Sequence, residues 1–164
     1  MLNLNLITMK KFLLAIVAMI CVAGVSAQDY KNSIGLRIGY GAELQYERHL
    51  SADNYLEFNL GLSDFDLNDA FLNVMYNWNC CEWDWTPNAG KWFLSAGVGG
   101  SLGWWNKPDA NINFNVGVAG NVAFGIRFNK PVTLSLDYRP TIYFLNNAWA
   151  HGFTGFALTC TYNF

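Results

Sequence analysis

The sequence predicts an all-β fold, an eight-stranded antiparallel up-and-down transmembrane β-barrel. Three observations in the 164-residue chain carry this expectation. From Ile34 onward apolar residues fall on even positions and polar ones on odd, the period of a strand with two unlike faces. Charges of both signs gather on the odd face. An export segment stands ahead of the first strand.

That segment is read as residues 1–27, a signal peptide, leaving 28–164 as the barrel domain. Lys10 and Lys11 form a basic start, Phe12 to Val25 an apolar run, and Val25-Ser26-Ala27 a small-residue cleavage site. The run is too short for a membrane helix, which needs about 20 apolar residues. Residues 1–8 read as an upstream extension before Met9. Ile20 fits poorly as the small residue a lipoprotein would place before Cys21. Cleavage removes two of the ten basic residues and none of the twelve acidic ones, so the net charge falls from −2 to −4. That balance argues against a nucleic-acid partner.

The first strand, Ile34 to Tyr40, sets Ile34, Leu36, Ile38 and Tyr40 against Gly35, Arg37 and Gly39. The second, Ala42 to Leu50, sets Ala42, Leu44, Tyr46 and Leu50 against Glu43, Gln45, Glu47 and His49, with Arg48 as its exception. After the turn at 51–54, the third alternates Leu56, Phe58, Leu60 and Leu62 with Glu57, Asn59, Gly61 and Ser63. Beyond the acidic loop 64–69, the fourth sets Leu72, Val74, Tyr76 and Trp78 against Asn73, Met75, Asn77 and Asn79, then gives way to a turn over Glu82 to Gly90.

The fifth strand, Trp92 to Trp104, alternates Leu94, Ala96, Val98 and Leu102 with Ser95, Gly97, Gly99 and Ser101. The sixth runs from Ile112 to Phe128 with Asn113, Asn115, Asn121 and Arg127 on its polar face, longer than a soluble sandwich needs. A turn at Asn129-Lys130-Pro131 leads to the seventh, with Leu134, Leu136, Tyr138 and Ile142 against Ser135, Asp137, Arg139 and Thr141; Pro140 within it signals an edge or a bulge. The eighth sets Phe156, Leu158, Cys160, Tyr162 and Phe164 against Ala157, Thr159, Thr161 and Asn163.

Lipid cannot satisfy an open sheet edge, so a spanning meander must close on itself. A soluble barrel such as a lipocalin would turn its apolar face inward around a ligand, leaving the charged face in water. The odd face combines Arg37, Arg127 and Arg139 with Glu43, Glu47, Glu57 and Asp137, a set suited to pairing inside a narrow eight-stranded lumen. Each of the three arginines is expected to meet an inward carboxylate, because unpaired buried charge is costly. Two aromatic girdles are expected: Trp78, Trp83, Trp85, Trp92, Phe128, Tyr162 and Phe164 at one rim, Tyr40, Trp104, Trp105, Tyr143 and Phe144 at the other.

Chemistry-bearing residues are sparse. Cys80, Cys81 and Cys160 lack metal-ligand spacing; they read as wall residues, with a Cys80-Cys81 disulfide as the alternative. His49 is expected to be a lumen residue near a turn. His151 lies in the last loop, where Ser63, Asp64, Asp66, Ser101 or Asp109 could approach it, but no spacing defines a triad. Asp64, Asp66 and Asp69 lack the ligand order and glycine of a calcium loop. No cofactor, metal or enzymatic activity is expected.

Phe156, Leu158, Cys160, Tyr162 and terminal Phe164 resemble the C-terminal signature of Gram-negative outer-membrane barrels. With Ile34-Gly35-Leu36-Arg37-Ile38-Gly39-Tyr40, the chain resembles the small OmpA/OmpX and opacity-protein-like, porin-like class over 28–164. The resemblance implies an outer-membrane location, recognition of the C-terminal signature by the barrel-assembly machinery, handling by periplasmic chaperones, contact with outer-membrane lipid, and a monomer. It leaves three roles open: a structural or porin-like protein, a lipid A-modifying enzyme, or a binding protein using its surface loops. The loops are shorter than those of adhesive members.

Overall fold

The computed structural model describes residues 30–63, 65, 69–105, 113–144 and 155–164. The alternating stretches form nine strand segments: β1 (Asn32–Ile38), β2 (Gly41–His49), β3 (Asn54–Ser63), β4 (Asp69–Thr86), β5 (Gly90–Trp105), β6 (Asn113–Phe128), β7 (Val132–Arg139), β8 (Thr141–Tyr143) and β9 (Gly155–Asn163). All pairings are antiparallel and, with β7 and β8 taken as one broken strand, join neighbours in the chain, except that β1 pairs with β9 and closes the wall. β7 and β8 occupy one wall position, so the barrel has eight. At the seam Asn32 N donates to Phe164 O at 2.9 Å and Phe164 N to Asn32 O at 2.8 Å.

The register fixes the slant of the wall. Paired residues run Ala70, Leu62, Ala42, Ile38, Leu158, Leu136, Phe124, Leu94 and back to β4 at Cys81. The circuit therefore returns 81 − 70 = 11 positions along, one of them the extra residue of the irregularity between Asn79 and Cys81. A stagger of that size tilts the strands by roughly 35–45° and leaves a lumen only wide enough for side chains.

Pro140 divides β7 from β8 without disturbing the register, which continues from Val122 opposite Tyr138 to Ala119 opposite Thr141. Its carbonyl accepts from Gly120 N at 2.9 Å, while its ring nitrogen has no hydrogen to return. A Cβ at Gly120 would already lie 3.4 Å from the Pro140 ring, so the bare backbone opposite makes room for it.

β4 departs from the sequence expectation. Glu82 to Thr86 continues the strand, and only positions 87–89 turn. The irregularity beside Cys81 shifts the parity: beyond it Cys81 pairs with Leu94 and Trp83 with Trp92, so these two face outward and Glu82 faces the barrel mouth, and a second shift follows between Trp83 and Thr86. The even-outside rule therefore ends at Asn79 on this strand. Such an inserted residue is invisible to a period-two count because the pattern resumes on both sides of it. β1 is also set slightly earlier than expected, with Gly39 and Tyr40 in the bend to β2.

Candidate functional site

Odd-numbered side chains of the wall strands, on β4 as far as Asn79, converge on the lumen, and its middle is charged. Arg37, Glu43, Glu57, Asp137 and Arg139 are all at least 95% buried. Arg37 pairs with Glu43 on the adjacent strand and with Asp137 on β7. Arg139 donates to Glu43 Oε2 at 2.7 Å and also pairs with Glu57. Glu43 thus bridges the two guanidinium groups.

Two arginines face three carboxylates, and neutral donors meet the surplus negative charge. Thr159 Oγ1 donates to Asp137 Oδ2 at 2.6 Å; Asn59 Nδ2 and Asn77 Nδ2 each donate to Glu57 at 2.7 Å. Asn121 Nδ2 continues the network to Asn77 Oδ1 at 3.1 Å. A Cβ at Gly97 would collide with Asn77 Oδ1, so the glycine admits this amide to the lumen. Such a network is favourable only while every partner stays in place.

Toward the loop end the filling turns less polar. Phe71, Met75 and Tyr143 are buried, and Ser101 Oγ lies 2.7 Å from the Tyr143 hydroxyl oxygen. Toward the turn end the network forms the floor of a cavity of about 680 Å³, whose wall includes Gln45, Glu47, His49, Arg127 and Thr161. The lumen is thus a vestibule above a charged plug.

The other sequence-predicted residues lie at the vestibule. Glu47 stands outside the central network: its Oε1 accepts from Gln45 Nε2 at 2.7 Å and its Oε2 lies 3.5 Å from His49 Nε2. Ser33 Oγ donates to Asn163 Oδ1 at 2.8 Å and lies 3.1 Å from His49 Nε2. Arg127 pairs with Glu82, donates to Asn79 Oδ1 at 2.6 Å, and lies 4.2 Å from the Phe93 ring centroid. The sequence reading missed Glu82 because it placed that residue in a turn. Arg48, the outward charge, donates to Asn32 Oδ1 at 2.7 Å.

The C-terminal set follows the wall: Phe156, Leu158 and Phe164 are exposed, Cys160 and Tyr162 half-buried. Cys80, Cys81 and Cys160 are free thiols, so the disulfide alternative is not realised. Ser63 is buried at the end of β3. His151, Asp64, Asp66, Asp109 and the signal segment 1–27 lie outside the described residues. Of the first expected girdle, Trp83, Trp85 and Trp92 gather around Phe124 on the outer face, with Trp83 and Trp85 stacked at 5.3 Å.

The pairing, closure and face sorting define a closed antiparallel β-barrel with an apolar exterior and a charged, largely filled interior. No family model and no curated protein matches the sequence. Among solved structures, the N-terminal β-barrel domain of Pseudomonas aeruginosa OprF is similar over 81% of this chain and 95% of that one, with 15% identity and a TM-score of 0.49.

Proposed function

We propose that this chain is an integral outer-membrane β-barrel protein with a structural or porin-like role, not an enzyme, its lumen closed by polar side chains. The observation that carries the reading is the inversion of its faces. Leu60 is 57% exposed, Val98 58%, Leu136 53% and Leu158 54%, while Asn59 and Asn77 are wholly buried. In water this apolar surface would far exceed the few hundred Å² that soluble monomers carry. In lipid it is the expected exterior of a barrel. The export segment and the C-terminal resemblance support an outer-membrane address, reached through the barrel-assembly machinery and periplasmic chaperones.

The reading is tested by cell fractionation and by gel migration with and without boiling. It expects an outer-membrane protein whose unboiled form migrates faster than the boiled one. A periplasmic protein with no such shift overturns it. In planar bilayers the plug predicts no stable large channel; a large steady conductance would remove the plug and leave a porin.

A further inference from the structure

β4 outruns its neighbour on one side. Its ladder with β3 ends at Trp78 opposite Asn54, followed by one bond from Asn79 N to Asp53 O. On its other side it stays paired with β5 as far as Thr86 opposite Gly90. Among the described residues, Cys80 to Thr86 therefore has a strand neighbour on one side only. Lipid cannot satisfy an open backbone edge, so this stretch must stand in water or be covered.

Natural proteins blunt such edges with lysine, proline or short length. The sequence Cys80-Cys81-Glu82-Trp83-Asp84-Trp85-Thr86 contains neither lysine nor proline, and Pro87 comes only after it. Register shifts beside Cys81 and between Trp83 and Thr86 bend the strand, yet its outer backbone still has no strand partner among the described residues. The segment is also held in place. Glu82 is tied to Arg127, and the Trp83 and Trp85 rings pack against Phe124. Trp83 and Trp85 lie outward against Phe124 and Glu82 faces the barrel mouth, while a second register shift between Trp83 and Thr86 interrupts the alternation at the exposed Asp84.

We propose that Cys80 to Thr86 is a docking edge for strand addition by an extended cationic polypeptide segment that alternates apolar residues with lysine or arginine. Main-chain hydrogen bonds supply the pairing, the tryptophans receive the apolar side chains, and Asp84 with Glu82 receives the basic ones. A second copy of the chain is a worse occupant, because two such edges would bring their own carboxylates together. The proposal goes beyond the membrane role and is independent of whether the lumen conducts.

The test uses the full-length barrel in neutral micelles and a fluorescent heptapeptide, Lys-Val-Lys-Val-Lys-Val-Lys, followed by anisotropy. Saturable one-to-one binding is expected, weakened about tenfold by Asp84→Lys through like-charge contact. N-methylation of one alternate set of peptide amides should abolish binding, and of the other set should spare it. The gel shift confirms that the variant is folded. Absence of saturable binding, or equal binding by both methylated peptides, overturns the proposal. A dimer in micelles that Asp84→Lys disperses assigns the edge to a second copy and overturns it equally.

Discussion

Arg139 on β7 reaches across the lumen to Glu57 on β3, four wall positions away in a barrel of eight, and binds Glu43 of β2 on the way. One side chain thus ties together opposite walls. Arg139→Ala would leave Glu43 and Glu57 buried with lost partners and is expected to cost about 3–5 kcal/mol. Urea unfolding of the refolded barrel in lipid vesicles, followed by tryptophan fluorescence, measures it.

Glu57→Gln should be milder than Arg139→Ala. Removing one carboxylate leaves two arginines against Glu43 and Asp137, a balanced set, and a glutamine oxygen can still accept from Arg139 or Asn77. The same unfolding series should rank Glu57→Gln well below Arg139→Ala. An equal or larger loss would show that charge surplus is not what the asparagine donors offset.

On the outer wall, Leu60→Arg is expected to destabilise the barrel by about 2–4 kcal/mol if it sits near the bilayer midplane. Asp53→Arg, in the exposed turn between β2 and β3, should change stability by less than about 0.5 kcal/mol. Comparing the two in vesicles separates a lipid-facing wall from a water-facing one, where both changes would be small.

Deleting Phe164 should separate assembly from stability. The residue contributes the reciprocal pair with Asn32 at the seam and an exposed ring. If the C-terminal set is an assembly signal, the truncated chain should be depleted from the outer membrane of cells yet refold in detergent with a normal gel shift. Equal loss in both settings would make Phe164 a structural residue only.

The strands and their faces were legible because one rule, period two, held over long stretches: Leu56 to Ser63 keeps its alternation without a break. The central charges were legible for the same reason, since Arg37, Glu43, Glu57, Asp137 and Arg139 share one parity and one sheet. What escaped was local. The irregularity beside Cys81 moved Glu82 from a supposed turn to the partner of Arg127, and no period count registers a single inserted residue. Pairing choices also escaped: that Glu43 bridges both arginines, while Glu47 stands aside with Gln45 and His49, depends on strand stagger. Stagger emerges only when the wall closes.

The most direct test of an apolar exterior around a polar lumen is a scan of spin labels placed singly at positions 56 to 62 of β3 in lipid vesicles, reading collisions with oxygen and with a water-soluble nickel chelate. Labels at 56, 58, 60 and 62 should collide with oxygen and be shielded from the chelate, while those at 57, 59 and 61 should be shielded from both. Even positions open to the chelate would place that face in water and contradict the membrane barrel.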